Sequence, residues 1–567
     1  MLLAYSFAQT ARAAAAPLPC AASGYHRATW EYAPQFALRS YAYLLPSVLV
    51  EHLTSFVLTL AGFFDTKFFV WMGIRGFWAV LSAAAEVHLY KAAKTRLGGR
   101  VGILTLLLSG GSAGMFSAAP ALLPSSTAMI LTTIMTALWM EWKWNAAIFV
   151  GALCVLGTGW PFVAVLMIPF TWNCLRDAMT TGGASRVAAR ITWGLICFGA
   201  VGAVTYAVDS SYYGTSAWPN FNIVKYNALS QGKGDELYGV EPWTYYVKNL
   251  LINTSCAAPL ALLLPVVMLL NRWDRFKPSL LVRKMEFTRS RAMLMFAMPA
   301  YLWLAVMFAK PHKEERFLYP AYPFLFVGAA AAVDTLTLLL ARVEARLPPS
   351  AMGKQVLKDV HLMLSSGVVA FALGMGSIRA MAVTTYHTGH CGVLKQAFNS
   401  ELRARLAQPD SSAAQRLSLC VGEDWHRFPS SYFLPDKVEL RFIKTGYTGQ
   451  LPQPFSADKG TSAVPRQPFN DLNKEETSRY TALSDCDYVM DTIWRTRTTD
   501  LIAEMKKSPE DWGKVTGRRI IDTQLSDPAL RAFYIPFLSR SFVVYGQVTL
   551  FRRLKPAKGG KSRKDKK

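Results

Sequence analysis

Long apolar runs fill the first two thirds of the chain and predict helices that cross a membrane. A helix needs about 20 apolar residues to span a bilayer. Four runs are close to that length: 101–119, 191–208, 250–270 and 292–309. Further candidates are 67–90, 125–141, 144–158, 160–174, 317–341 and 359–377, with 46–62 as the eleventh. The pattern predicts a polytopic α-helical membrane protein with about ten to eleven spans.

The pattern changes near residue 378, where the long apolar runs end. Short segments rich in β-branched and aromatic residues follow and predict strands at 438–443, 532–537 and 541–551. We therefore predict a multispan membrane part over 1–378 and a largely β C-terminal domain over 379–555. The last residues, 556–567, are rich in lysine and predict a disordered basic tail.

Composition supports the membrane assignment, and the placement of charge orients the chain. The 567 residues are 52% hydrophobic and 17% charged, with a net charge of +24. Soluble proteins carry about 25% charged residues. Basic residues cluster in alternate loops, a pattern typical of cytosolic loops, so the positive charge indicates topology rather than nucleic-acid binding. The loops between these clusters, and everything after about residue 378, are predicted to lie on the non-cytosolic side.

Eight cysteines are spread along the chain without a CxxC pair or any metal-ligand spacing. Cys391, Cys420 and Cys486 fall in the C-terminal part, in a compartment that could oxidise them. A disulfide there is one of two open alternatives, and the sequence does not determine which cysteines pair. No metal and no cofactor is expected.

The stretch HKEER at 312–316 places five ionisable residues between two apolar runs. Ionisable groups at the mouth of a membrane span are costly and often functional. His312, Lys313 and Arg316 could bind a phosphate, while Glu314 and Glu315 orient these bases or hold sugar hydroxyls. The alternative is a self-paired charge cluster that marks where a span begins. The charge pattern does not decide between them.

Two stretches combine aromatic and charged residues as sugar sites do. The loop at 209–249 offers Tyr and Trp faces for stacking and carboxylates for hydroxyl groups, and 29–46 has the same character. The alternative is a belt of aromatic residues at headgroup depth. The candidate sugar or lipid-sugar contacts are Trp30, Arg39, Tyr212, Tyr213, Tyr238, Glu241 and Trp243.

A series of motifs follows one another along the chain. They are TWEYAPQFALRSYAYLLP, GMFSAAPALLPSS, GWPF, DSSYYG with NIVKYN, LYGVEPW, HKEERFLYPAYP and, in the C-terminal part, stretches such as LRAFYIPFLS. In this order they resemble the dolichyl-phosphate-mannose-dependent mannosyltransferases of the endoplasmic reticulum, glycosyltransferase family 22. The resemblance runs from about residue 29 to 555 and is strongest to the α-1,2 members that build the N-glycan precursor.

The resemblance implies a GT-C fold in the endoplasmic reticulum membrane, with a lumenal active site. The implied donor is dolichyl-phosphate-mannose and the acceptor a dolichyl-diphosphate-linked oligomannose. Such a transfer inverts the anomeric centre and needs a general base and stabilisation of the leaving phosphate. His312, Lys313 and Arg316 would neutralise that phosphate, with Glu314 and Glu315 positioning them.

One departure from the family concerns the base. Members carry an acidic motif resembling D-E-x-F-N-Y-W-E-P in the first lumenal loop, but here residues 21–28 stand in its place and no Asp precedes Asp65. Either the chain begins downstream of the true start or it lacks this base. Glu31 is the nearest carboxylate and is the candidate that the sequence offers.

Three other functions stay open at this stage. The first is a mannosyltransferase acting on GPI precursors, which shares a shorter form of the HKE-x-RF signature. The second is a transporter or lipid scramblase, suggested by Gly and Pro within apolar runs. The third is a catalytically inactive paralogue, suggested by the missing acidic motif.

Overall fold

The computed structural model describes residues 27–63, 67–229, 237, 239–273, 280–348, 352–397, 401–406, 417–426, 433–435, 437–454 and 469–554. The predicted tail at 556–567 lies outside these residues. The chain divides into two compact units. One contains Met1–Ile74, Tyr206–Pro219 and Met381–Lys567, and the other contains Arg75–Thr205 and Asn220–Ala380. The boundaries predicted at 378 and 555 remain predictions.

Helices account for most of the described residues before 398. In chain order they are α1 Leu45–Leu60, α2 Lys67–Leu97, α3 Gly99–Gly110, α4 Ala113–Ala118, α5 Pro124–Met140, α6 Trp144–Ala152, α7 Ile168–Tyr213, α8 Pro219–Val224, α9 Thr244–Thr254, α10 Ala257–Trp273, α11 Leu280–Ala309, α12 Tyr322–Glu344, α13 Met352–Tyr386 and α14 Gly389–Ala397. Two 3₁₀ segments, Pro161–Met167 and Glu315–Ala321, lead into α7 and α12.

Within the described residues, six helices are long and apolar enough to cross a membrane, or seven if the bent pair α9 and α10 forms one span. They confirm a multi-pass membrane protein. The predicted number of ten to eleven spans is not confirmed. Shorter apolar helices, α3 and Trp144–Gly157, occupy two more of the predicted spans.

Two breaks explain part of this difference in number. The segment Pro161–Tyr213 has 53 residues, far more than the ~20 that one crossing needs. Gly183 interrupts α7 with φ 62° and ψ −155°, which no helix contains, and the predicted spans 160–174 and 191–208 lie on either side of it. The second break bends α9 against α10 by 103°, at Ser255 with φ 52°.

α12 is the central helix of its unit. In its apolar window 72% of the residues are buried, against 6% in α13. Asp334 of α12 is buried, and its carboxylate pairs with the Arg289 guanidinium at 2.8 Å. A buried charge needs such a partner because desolvation penalises an isolated ion.

The C-terminal part contains a five-stranded mixed sheet, which confirms the predicted sheet region. Its strands are β2 Leu417–Val421, β3 Val438–Phe442, β5 Tyr488–Ile493, β6 Trp512–Ile521 and β7 Tyr545–Arg553. The order is β3-β2-β5-β7-β6. β2 pairs in parallel with β3 and β5, and β7 pairs antiparallel with both β5 and β6. A two-stranded ladder joins β1 Arg27–Ala28 to β4 Gln453–Pro454.

The strands predicted at 438–443 and 541–551 correspond to β3 and β7, but the strand predicted at 532–537 is wrong. After α14 the chain forms the short helices α15 Arg403–Leu406, α16 Asp500–Met505, α17 Pro528–Ala532 and α18 Leu538–Phe542. The stretch 532–537 connects α17 to α18. Its composition is strand-like, yet Pro536 and the left-handed backbone of Phe537, with φ 69°, end any extended run.

One face of the sheet packs on α14, and the other carries a disulfide. Leu419, Phe442 and Met490 form the core with Val393 and Leu394 of α14. On the opposite face Cys420 and Cys486 are bonded and pack with Val489 and with Leu501 of α16 Asp500–Met505. The sequence leaves the pairing open, and the structure pairs Cys420 with Cys486.

Candidate functional site

The HKEER cluster lies in the loop between α11 and the 3₁₀ segment Glu315–Ala321. The loop is fixed to the segment that precedes α9. The Glu241 amide donates to the Pro311 carbonyl at 3.2 Å, and His312 Nδ1 lies 2.8 Å from the Gly239 carbonyl. Two of the motifs singled out in the sequence, LYGVEPW and HKEERFLYPAYP, therefore meet in one unit.

Glu314 is the centre of the cluster. Its Oε1 lies 3.2 Å from His312 Nε2 and 2.5 Å from the Arg316 guanidinium. The Gly239 carbonyl and the Glu314 carboxylate only accept hydrogen bonds, while a neutral imidazole has one N–H to donate. Both ring nitrogens of His312 thus face an acceptor, and the imidazole and the Arg316 guanidinium converge on one carboxylate.

These neighbours keep Glu314 ionised. Burial alone would raise the pKa of its carboxyl, but the hydrogen bond from His312 and the charge of Arg316 outweigh burial and lower the pKa to about 2. The group is thus a permanent anion at neutral pH and holds His312 and Arg316 in position. Arg316 Nε is buried and has no hydrogen-bond partner among the described residues, so this guanidinium keeps a donor for a ligand.

Lys313 and Glu315 point to other partners. The Lys313 ammonium is buried, donates to the Lys310 carbonyl and lies 6.0 Å from the centre of the Tyr246 ring. Glu315 accepts from the Tyr319 hydroxyl at 3.3 Å and faces the charge of Arg379. The predicted phosphate-binding trio is thus split, with His312 and Arg316 coupled through Glu314 and Lys313 bound to the backbone.

Aromatic residues from other motifs pack against the segment that follows the cluster. Trp160 of GWPF packs against the rings of Phe317 and Trp303, at 5.8 and 5.7 Å between centroids. Trp303 Nε1 donates to the Phe317 carbonyl at 2.7 Å. Gly114 lies against Tyr322, where an added Cβ would come within 2.8 Å of the ring. The short segment after HKEER is therefore held rigidly by side chains distant in sequence.

A second cluster lies in the other unit and is organised by Asp209. This carboxylate is fully buried near the end of α7. It accepts hydrogen bonds from the Ser40 hydroxyl at 2.9 Å and from the Tyr41 and Ala42 amides at 2.6 and 3.0 Å. Asp209 satisfies the open amides at the turn that begins α1, as an N-terminal cap does.

The sequence candidates of the N-terminal stretch gather around this turn. Glu31 pairs with the Arg39 guanidinium at 2.5 Å, and the Tyr213 hydroxyl donates to the Arg39 carbonyl at 2.7 Å. Tyr41 stacks on Tyr212 at 5.3 Å. Trp30 contacts Phe36 edge to face. The carboxylate of Glu31 is thus engaged by an arginine.

In the sequence, Asp209 is only one of the carboxylates of the loop at 209–249. The signal that could have identified it is a lone carboxylate at the end of an 18-residue apolar run, where ionisable groups are rare.

Among the described residues, two other sequence candidates do not join either cluster through their side chains. Glu241 contributes its backbone amide, and its residue is exposed. Trp243 is 62% exposed. Tyr238 lies outside the described residues. Across the part of the chain that the structure describes, no group of three or more His, Cys, Asp or Glu could hold a metal ion.

Comparison with solved structures shows the fold. The chain is similar to ArnT from Cupriavidus metallidurans, whose crystal structure contains undecaprenyl phosphate, with a TM-score of 0.53. The similarity covers 98% of this chain and 94% of that one, at 11% sequence identity. ArnT has the GT-C fold, so the predicted fold class is confirmed.

Comparison with known sequences shows the family. The model of the Alg9-like mannosyltransferase family matches residues 15–435. The α-1,2-mannosyltransferase ALG9 of Mus musculus is 33% identical over 545 residues, 94% of this chain and 83% of that protein. Alg9 of Drosophila melanogaster is 31% identical over 95% of this chain and 82% of its own length. The resemblance inferred from the motifs is confirmed: the chain belongs to the Alg9-like mannosyltransferase family, a family of glycosyltransferases.

Proposed function

We propose that the protein transfers mannose from dolichyl-phosphate-mannose to a dolichyl-diphosphate-linked oligomannose, forming α-1,2 linkages. The reaction would take place on the lumenal side of the endoplasmic reticulum membrane during assembly of the N-glycan precursor. Family membership and the names of the relatives support the mannosyl transfer. The observation that carries the proposal is the His312–Glu314–Arg316 cluster, in which an imidazole and a guanidinium converge on one carboxylate beside a candidate membrane span.

The cluster suits the departure of a phosphate. When the bond between mannose and the dolichyl phosphate breaks, negative charge develops on the phosphate, and fixed cations lower the energy of that transition state. Arg316 offers a planar fork that matches phosphate oxygens. His312, held by the Gly239 carbonyl and Glu314, would add a second positive charge beside it when protonated. Glu314 holds both side chains in place beforehand, so little reorganisation is needed during the reaction.

The acceptor side needs a general base, because the donor linkage is β and the product linkage is α. Inversion in one step requires a carboxylate that takes the proton of the acceptor hydroxyl as it attacks. Glu31 is the candidate from the sequence, and in the structure it is paired with Arg39. For Glu31 to act as the base, one oxygen would have to accept that proton while the other stays bound to the guanidinium.

The test is a mannosyl-transfer assay in microsomes that lack their own α-1,2 enzyme. Labelled dolichyl-phosphate-mannose would serve as donor and a six-mannose lipid-linked oligosaccharide as acceptor. We expect an α-1,2-extended product with the wild-type chain. Arg316→Ala should lower the rate by ~100-fold or more, since one such electrostatic contact contributes about 10²–10³ in rate.

Arg186→Ala is the matched control, because Arg186 is an exposed arginine of a predicted cytosolic loop. It should transfer at the wild-type rate. If correctly inserted Arg316→Ala protein keeps full activity, the cluster does not bind the leaving phosphate. Absence of product from the inserted wild-type chain would contradict the function itself, and product on a GPI precursor instead would identify the other acceptor class.

A further inference from the structure

An apolar patch is exposed on the C-terminal part of the chain, between α17 and the end of α18. It consists of Ile535, Phe537, Leu538 and Phe542, which are 37%, 80%, 50% and 57% exposed. Phe537 is the most exposed of the large apolar side chains in the described residues. Large apolar residues that cluster on a surface mark an interaction site more often than chance exposure.

The backbone holds these side chains outward. Phe537 has φ 69°, a conformation that bulky residues rarely adopt. Around it the Ser539 hydroxyl accepts from the Ile535 amide at 2.9 Å, and Asp527 caps α17 by accepting from the Ala529 and Leu530 amides. Ser539 and Val543 are buried beneath the patch. The exposure is therefore built into the local fold.

Residues just before the patch contact the end of α13, a candidate membrane span. Tyr386 is the last residue of α13, and its hydroxyl donates to the Leu530 carbonyl at 3.0 Å. Its ring also contacts the rings of Tyr534 and Tyr545, at 6.0 and 6.1 Å between centroids. The apolar part of α13 ends at Val383, about 4.5 Å of helix before Tyr386. Tyrosines at this depth belong to the interfacial belt of a bilayer.

A second contact ties the same unit to another span. Phe433 packs against Trp71 at 5.6 Å and against Phe68 at 6.4 Å, both at the start of α2. The Lys67 ammonium donates to the Leu434 carbonyl at 2.5 Å. Two span ends thus attach to the C-terminal part of the chain. One of them lies directly beside the patch.

We propose that the apolar patch inserts into the interfacial layer of the lipid bilayer at the end of α13. Phe537 and Leu538 would reach below the headgroups, as the apolar faces of membrane-surface helices do. Arg540 is exposed next to them and suits contact with lipid phosphates. The occupant is the bilayer itself, because the patch continues an embedded helix at its border.

The experiment measures how close the patch comes to lipid. The full chain, carrying Phe537→Cys labelled with bimane, is placed in nanodiscs that hold one copy each. Lipids with a nitroxide on the upper acyl chain then serve as quenchers. The parental chain, labelled in the same way, gives the background from native thiols. Phe542→Cys provides a second position should the first variant fold poorly.

Leu554→Cys is the matched control. Leu554 is 53% exposed and follows β7 directly, about 30 Å along the strand from Tyr545. We expect the nitroxide lipids to quench bimane at 537 at least ~3-fold more strongly than at 554, because interfacial residues lie only about 5–10 Å into the boundary layer.

Equal quenching at both positions would overturn the proposal. The proposal would also be overturned if position 537 is shielded from aqueous iodide only in discs that hold two copies. In that case a second chain, and not lipid, covers the patch. Quenching of position 537 by nitroxide lipids, together with shielding from iodide in single-copy discs, supports insertion.

Discussion

At the scale of single residues, Asp209 shows how much one buried carboxylate can organise. It accepts from Ser40, Tyr41 and Ala42, and removing it would leave these buried donors without their acceptor. An unsatisfied buried polar group costs about 1–3 kcal/mol. The turn before α1, which carries Arg39, depends on this one side chain.

We therefore expect Asp209→Ala to lower the free energy of unfolding by roughly 1–3 kcal/mol. Thermal unfolding of the purified chain in detergent would measure the loss. Asp359→Ala, at an exposed position, should leave the unfolding temperature nearly unchanged. An unfolding temperature for Asp209→Ala equal to that of the wild type would show that the turn does not need its cap.

The stability of the C-terminal part depends on pH through the buried carboxyl group of Asp491. Burial raises the pKa of its carboxyl to about 7, with the negative charge of Asp424 acting in the same direction and the Thr499 hydroxyl opposing both. The folded state therefore binds a proton that the unfolded state has released, and stability decreases as pH rises from about 4 to about 7.

Asp491→Asn should remove that decrease. We expect the variant and the wild type to differ little near pH 4, and the variant to be more stable by roughly 2–4 kcal/mol at pH 8. Unfolding temperatures measured across this range test the expectation. Asp500→Asn, at an exposed position, should follow the wild-type curve. A constant difference between Asp491→Asn and wild type would contradict the titration.

The residues of the candidate site were only partly predictable. Five consecutive ionisable residues at a span border are visible without structure, so the grouping of His312, Glu314 and Arg316 was predictable, while their role stays a prediction. The different role of Lys313 was not, because its acceptor is a backbone carbonyl. Asp209 bonds to residues 167–169 positions away, and no local pattern reveals such a contact.

At the scale of elements, Gly183 is the feature on which the long helix α7 depends. Its φ of 62° and ψ of −155° are accessible to glycine and strained for every other residue. A side chain there would strain the break that separates two predicted spans. Space is not the obstacle, since an added Cβ would meet nothing within 4 Å.

Gly183→Ala should destabilise the chain by roughly 1–3 kcal/mol through backbone strain. Gly199→Ala is the control within the same helix: its Cβ also meets nothing within 4 Å, and helix propensity favours alanine by about 1 kcal/mol. The two substitutions should therefore shift the unfolding temperature in opposite directions. A shift of the same sign in both would mean that α7 is continuous through residue 183.

Helices were predicted better than strands. Apolar runs of span length leave little alternative to a helix, and α2, α5, α12 and α13 cover their predicted positions. Strand β6 was missed because it carries the exposed basic residues Lys514, Arg518 and Arg519, which hide the β pattern. The segment 532–537 was misassigned because its apolar residues are exposed rather than paired.

At the scale of the whole molecule, the Cys420–Cys486 disulfide closes a loop with a sequence separation of 66 residues. By the chain-entropy account, a cross-link over such a loop stabilises the fold by about 4 kcal/mol. The bond joins Cys420 in β2 to Cys486, two residues before β5, so it restrains these two parts of the sheet in the unfolded chain.

Cys420→Ser combined with Cys486→Ser should lower the unfolding free energy by a few kcal/mol, on the order of 2–5. The unfolding temperature of the wild-type chain, measured with and without reductant, gives a second estimate of the contribution of the disulfide. If reductant shifts the double variant as much as the wild type, the effect does not come from this bond.

The position of β7 inside the sheet has a consequence for biosynthesis. β7 is the last strand described, yet it lies between β5 and β6. The ribosome must therefore make the chain as far as Arg553 before β6 finds its partner and before the second edge of β5 is paired. Until then both strands expose open edges that invite wrong pairing. A stop codon just upstream of Tyr545 would remove few residues but would leave the sheet without β7. Cellular quality control would then recognise the truncated chain as incompletely folded.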